Sequence, residues 1–299
     1  MKYAPWISEK FAKSSWSITD WTNTYFCWLW RNKKVPFERL IIHDQIIQKT
    51  QEVVSDCLAK YPSANIRNDI TFYQVPVDDV WWMYDKNFIW LWWIYRFSIH
   101  TIAHELVHAF SDNWKNVWFF DIDTKQWRCM NEWFTEYITR KIIMPHIPQD
   151  LHDLSKDATY EFIKKFKNAN KRYHAFSAKF IKDRILPYDY RVWCIGQCNS
   201  RESKWYIGST YDKDMDLVSH CIATLEQKNI CKDELLDDFF ASNHQNISAK
   251  LSNFRRQDLC SLYPYEAYFL AGDARTQNQQ KIDEYIALFG RKPRNDIYV

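Results

Sequence analysis

The sequence predicts an α+β lobe followed by a mainly helical lobe, over residues 1–185 and 186–299. Three observations carry that expectation. A helical pattern precedes a run of short alternating segments. Two further helical patterns follow that run, and from Met215 onward the chain again reads as helix. No internal repeat and no low-complexity linker interrupts the order.

The elements follow in turn. Residues 37–60, "FERLIIHDQIIQKTQEVVSDCLAK", place apolar side chains at helical spacing and end before "YPSAN", a turn signal. "NDITFYQVPV" alternates as a strand does. A turn around Asp78 and Asp79 leads to "VWWMY", and "KNFIWLWWIY" reads as another strand. A helix over about 97–111 comes next, then a loop of roughly twenty residues, a length that inside a domain is often functional. A second helix begins near Met130 and stops before Pro145. "ATYEFIKKFKNANKRYHAFSAKFIKDRI" is a further helix or pair of helices. The second half contributes "MDLVSHCIATLEQ", "KDELLDDFFAS", "ISAKLSNF" and "QKIDEYIALFG", with Gly290 the expected C-cap of the last.

The composition, 46% hydrophobic and 26% charged, is that of an ordinary globular protein. A net charge of +3 offers little attraction for nucleic acid or an anionic membrane, and argues against both as partners. "MKYAPWISEKFAKSS" lacks the apolar run of a signal peptide, and "YFCWLW" and "FIWLWWIY" are too short to span a bilayer. The cytoplasm is the expected compartment. Of the eight cysteines only Cys194 and Cys198 lie close together, at a spacing uncommon for zinc, so the set reads as mostly free thiols.

The glycine count is anomalous. There are 4 Gly and 16 Trp, and no Gly precedes residue 196. Ordinary usage is about 7% Gly, and turns need residues that accept positive φ. Tryptophan also stands where glycine is expected: "DDVWWMYDK" reads as a hairpin turn, and "NFIWLWWIY" puts three Trp in one strand. A genetic code that reads UGA as glycine explains both counts; the other reading is a truly tryptophan-rich protein. The codons of the source DNA decide between them.

The chemistry centres on "HTIAHELVHAF", residues 100–110. At about 100° per residue, Ile99, Ile102, Ala103, Leu106, Val107 and Phe110 form one continuous face for the core. His104 and His108, four apart, stack on the opposite face and can converge on one point in a cleft, with Glu105 beside them. This is the HExxH arrangement, two imidazoles for Zn²⁺ and a carboxylate for its water; the plain alternative is a solvated face. Catalytic zinc wants a third protein ligand. Glu132, 24 residues after His108 in "MNEWFTEYITRKI", can supply it. Glu136, one turn on, can accept a hydrogen bond from the far nitrogen of a ligating His. Phe134, Tyr137, Ile138 and Ile142 form the buried side of that helix. His100 extends the histidine row but drifts toward the apolar face, and reads as a packing or supporting residue.

Together "HELVH" and "NEWFTEY" resemble the gluzincin metallopeptidases, whose third ligand is the Glu of an NExx(S/T/A)(D/E) motif. The resemblance covers roughly residues 65–143. It implies a zincin-like lobe: a small mixed sheet, the HExxH helix and a glutamate helix. It implies that His104, His108 and Glu132 hold Zn²⁺, that Glu105 is the general base, and that Glu136 supports His104. The implied activity is zinc-dependent hydrolysis of peptide bonds in peptide or protein substrates. An edge strand at about 87–94 would pair with the substrate backbone, and the helical half after residue 150 would wall the cleft from below. The family form nearest to this one is NEGFTEY, so Trp133 stands at its Gly. An oxyanion donor is expected from the second half; Tyr206, Tyr211, His174 and His220 are all candidates, with nothing to choose among them.

A second resemblance lies in "VWCIGQCNSRESKWYIGSTYD", residues 192–212, which looks like the start of a GIY-YIG nuclease domain. Tyr206, Ile207 and Gly208 match the second triplet, and His220 a recurrent position. The first triplet would be Arg191, Val192 and Trp193, without its Tyr; the expected Arg is Met215, and the metal-binding Glu falls on Ile282, beside Asp283 and Glu284. Those departures imply an inactive module. The alternative function is therefore a non-catalytic zincin-fold protein with a degenerate nucleic-acid-binding module over 190–299, and the simpler structural reading is a β-hairpin joining two lobes.

Overall fold

The computed structural model describes residues 45–75, 82–85, 88–92, 97–111, 128–166, 194–197, 205–208, 212–252, 254, 278–289 and 291–292. Helix α1 (Gln45–Leu58) buries Ile46, Ile47, Thr50, Val54 and Leu58 along one stripe, and the Thr50 hydroxyl donates to the Ile46 carbonyl one turn back at 2.6 Å. The chain then reaches three short strands, β1 (Thr71–Val75), β2 (Trp82–Asp85) and β3 (Phe88–Trp92). Their order is β1-β3-β2. Strand β3 runs parallel to β1, with Thr71 opposite Phe88, and antiparallel to β2, with Tyr84 opposite Ile89. The segment expected at the edge of the sheet is therefore its middle strand. Both its rows of backbone groups are engaged, and it has no free edge for a substrate.

Helix α2 (Ile99–Phe110) starts where it does because Ser98 is extended, with φ −81° and ψ 106°, and its hydroxyl accepts from the Thr101 amide. Helix α3 (Arg128–Tyr137) runs on into a π-helical segment, Ile138–Ile143, and a short 3₁₀ turn, Met144–His146, that contains Pro145. Helix α4 (Gln149–Phe166) follows. Strands β4 (Cys194–Gln197) and β5 (Trp205–Gly208) pair antiparallel, with Cys194 opposite Gly208. Helices α5 (Asp212–Gln227), α6 (Lys232–Phe240), α7 (His244–Ser252) and α8 (Asn278–Phe289) close the order. The expected lobe boundary at 185, the turn at Asp78 and Asp79, the loop before α3 and the Gly290 cap lie outside the described residues.

Helix dominates, which corrects the expected class: the described residues form a mainly helical fold in which the short three-stranded sheet is a minor part, not an α+β fold built on a zincin-like sheet lobe. The physical reason is length. The segments with strand-like alternation yield strands of only four or five residues, and of the buried core they supply Phe72, Ile89 and Leu91. Most of the rest comes from helices. Phe134 of α3 stacks on Phe239 of α6 at 5.3 Å between ring centres, and Leu217, Ile222, Leu235 and Leu251 line the same apolar seam as Phe134. A polar clasp ties the exit of α1 to α6. Lys60 Nζ and the Tyr61 hydroxyl bind Asp233 at 2.9 and 3.0 Å, and the Ser63 amide donates to Asp237 at 2.8 Å.

No helix among the described residues is long and apolar enough to cross a membrane. Positive φ outside glycine is found at Asn229 (60°) and Ser242 (52°), so no described tryptophan occupies the left-handed region that favours glycine.

Candidate metal centre

Every residue of α2 from Ile99 to Phe110 is buried. The open cleft expected beside the histidines is thus corrected. The apolar face packs into the core, and the polar face is covered by α3, leaving His104 and His108 only 3% and 4% exposed. Polar groups this deep are costly unless paired. Helix α3 pairs them through two adjacent rows at helical spacing, Asn131 with Thr135 and Glu132 with Glu136 and Arg140.

One row brings a carboxylate against both imidazoles. His104 Nε2 lies 3.4 Å from Glu132 Oε2, His108 Nε2 lies 3.5 Å from Glu132 Oε1, and the two Nε2 atoms are 3.2 Å apart. Zinc–ligand bonds of about 2.0–2.1 Å at tetrahedral angles separate ligand atoms by about 3.3 Å. The two histidines meet different oxygens of Glu132; with one ligand atom from each residue, the three atoms lie within 4.8 Å of one another, and the donor set of two imidazoles and one carboxylate is one that catalytic zinc uses. The group His104, His108 and Glu132 therefore fits a metal ion. With its side chain 28% exposed, Glu132 is the member nearest solvent.

Behind the ligand triad, each histidine has its far nitrogen held. Glu136, fully buried, places Oε2 2.9 Å from His104 Nδ1 and Oε1 3.1 Å from His100 Nε2. The Arg140 Nε stands 2.5 Å from the same Oε1. His108 Nδ1 meets uncharged groups instead, the Asn131 amide at 3.2 Å and the Thr135 hydroxyl at 3.3 Å. A neutral His108 with a free Nε2 lone pair would carry its proton on Nδ1 and donate it to the Thr135 oxygen; the Asn131 Nδ2 group, a donor, serves the other tautomer, so the two neighbours favour opposite states of this ring.

The electrostatics follow from this packing. Burial pushes Glu132 and Glu136 up, but the neighbouring imidazoles outweigh it and hold both carboxyls well below the ordinary range. Burial also depresses His100 and His108. For His104, burial acts downward, but hydrogen bonds to Glu132 and Glu136 prevail and lift it to about 10. Glu105 is only 2% exposed, and burial raises it to about 8. Its Oε1 has no hydrogen-bond partner among the described residues.

The structure thus brings together His104, Glu105, His108, Glu132 and Glu136, and sets His100 on Glu136. Sequence reasoning missed Asn131, Thr135 and Arg140; of these only Arg140, four residues after Glu136, stands one helical turn from a carboxylate it had singled out. Of the oxyanion candidates, His174 and Tyr211 and the side chain of Tyr206 lie outside the described residues, and His220 is half-buried on α5. At the positions that resemble a nuclease, β4 and β5 form a simple hairpin pair, and Ile282 and Asp283 sit on α8. Comparison of the chain with protein-family models, curated proteins and solved structures finds no match.

Proposed function

We propose that this chain is a zinc-dependent metallopeptidase acting on peptide or protein substrates. The observation that carries the reading is the triad itself: two imidazole nitrogens 3.2 Å apart, each within 3.5 Å of an oxygen of Glu132, with the buried carboxyl of Glu105 next to His104 in the chain. The resemblance of "HELVH" and "NEWFTEY" to the gluzincin motifs supports the same roles, with His104, His108 and Glu132 as ligands, Glu105 as base and Glu136 as support for His104.

Bound zinc supplies Lewis-acid activation of a water molecule and of the scissile carbonyl. The chain supplies the rest. Glu105 accepts a proton from the attacking water and returns it to the leaving amine, and the burial that raises it to about 8 makes it a stronger base than an exposed carboxylate. Glu136 accepts the Nδ1 proton of His104 and so directs the lone pair of the ligating ring to Nε2, while the Thr135 hydroxyl can accept from Nδ1 of His108 in its ligating form. Glu132, the most exposed member of the triad, is the side from which a substrate would reach the metal. Cytoplasmic residence accords with the free thiols of Cys57, Cys221 and Cys231.

The test is hydrolysis of a mixed peptide library by zinc-loaded protein, read by mass spectrometry. Cleavage that a chelator abolishes, zinc restores and Glu105→Gln eliminates is the expected result. A folded, zinc-loaded protein that leaves the library intact contradicts the proposal.

A further inference from the structure

We infer that Arg140 is a positioning residue for the metal centre, acting through Glu136 on His104. The inference rests on the metal reading above and extends it to a residue outside both the HExxH and the NExxTE motifs.

The geometry separates the two oxygens of Glu136. Oε1 faces Arg140 Nε at 2.5 Å and His100 Nε2 at 3.1 Å; Oε2 faces His104 Nδ1 at 2.9 Å. The terminal torsion of a glutamate is soft and nearly two-fold, so a carboxylate held at one point is free to swing or exchange its oxygens. Here one oxygen is met from two directions, by an ion pair to the Arg140 guanidinium and a hydrogen-bond contact to His100. Arg140 approaches from the π-helical segment that continues α3, and His100 from α2. The other oxygen is left for a single task. It accepts the Nδ1 proton of His104, so that when the ring gives up its other proton to a metal the lone pair falls on Nε2, the atom that belongs to the triad.

The grip is also electrostatic. The Glu136 side chain is 0% exposed and the Arg140 side chain 8%, so the pair meets in a medium that screens it poorly. A guanidinium stays charged at every relevant pH, which makes it a permanent partner for a buried carboxylate. Arg140 lies four residues after Glu136, as Glu136 lies four after Glu132. One helical row therefore carries a ligand, its support, and the support's own anchor. His104, held by an anchored carboxylate, differs from His108, whose far nitrogen meets an amide and a hydroxyl.

The experiment measures zinc affinity by chelator competition, and the visible spectrum of the cobalt(II)-loaded protein, for wild type, Arg140→Met and Arg140→Lys, each shown to be folded by circular dichroism. Loss of a supporting residue of this kind weakens metal binding by about 10- to 100-fold. That loss is expected for Arg140→Met, with a changed cobalt spectrum, and Arg140→Lys should recover part of it because the charge is kept. Wild-type affinity and spectrum in Arg140→Met would overturn the inference. Should Arg140→Met not fold, the uncharged pair Glu136→Gln with Arg140→Met replaces it. The same weakening is then expected, and wild-type affinity in that pair overturns the inference equally. A wild-type protein that takes up neither metal contradicts the underlying metal reading instead, so the two failures are distinct.

Discussion

Raising the pH from 6 to 9 should strengthen zinc binding steeply, and His104 sets the size of the effect. In the metal-free site its Nδ1 lies 2.9 Å from Glu136 and its Nε2 3.4 Å from Glu132. Despite burial, these two carboxylates raise it to about 10. Below that value the ring is an imidazolium, and the proton sits on the nitrogen a metal needs. Metal ligands must be deprotonated. At pH 7 about one ring in a thousand is neutral, a cost of about 4 kcal/mol to the binding equilibrium. Apparent zinc affinity should therefore rise about tenfold per pH unit and level off near the raised value. His108 and Glu132 add nothing to this slope, because the first is depressed and the second held far down, so both are already in their ligand-ready forms. Glu105, raised to about 8, does titrate in the window. The clean assay is accordingly calorimetry on Glu105→Gln in buffers of different ionisation enthalpy. About one proton released per zinc at pH 7 is expected. A zinc affinity that is flat from pH 6 to 9, with no proton release, would refute the reasoning.

Three further outcomes are expected. Glu105→Gln should keep its zinc and lower kcat by about a hundredfold to ten-thousandfold, the usual weight of a general base, and steady-state kinetics beside metal content check both halves. Phe239→Ala, which empties a fully buried site stacked on Phe134, should cost about 3–5 kcal/mol in denaturant unfolding; an unchanged midpoint would show that α6 does not hold α3 in place. Asp233→Asn tests the clasp through pH. Burial pushes Asp233 up, but hydrogen bonds from Lys60 and Tyr61 prevail and lower it. Its stabilising effect is therefore present above the ordinary carboxylate range and is lost as pH falls through the lowered value. The variant should melt below wild type at neutral pH and together with it in strong acid; a gap that persists in acid would place the effect elsewhere.

Much of the site was legible because helical spacing is rigid. His104 and His108, four apart, had to share a face, and Glu132 with Glu136 had to share another. Periodicity does not say what covers a polar face. The histidine face looked suited to a cleft, yet α3 lies over it, and the carboxylates that make such burial tolerable come from residues more than twenty positions away. Asn131, Thr135 and Arg140 escaped notice for a related reason: a neutral amide, a hydroxyl and a surface-type cation carry no signal until their partner is known. The fold was less legible. Alternation in "NDITFYQVPV" and "KNFIWLWWIY" marked strand-forming stretches but not their short extent, and it could not reveal that Phe88–Trp92 lies between two other strands. Trp133 shows a different limit. Its indole is 1% exposed within α3, at a backbone conformation that any residue adopts, so the glycine hypothesis stands on composition and codons and not on local geometry.

The central claim is that His104, His108 and Glu132 hold one zinc ion between α2 and α3. Elemental analysis of the purified chain beside Glu132→Ala tests it most directly. About one zinc per chain, with binding sharply weakened in the variant, is the predicted result. A folded wild-type protein without zinc, or a variant that holds it as firmly as wild type, would contradict the three-ligand centre.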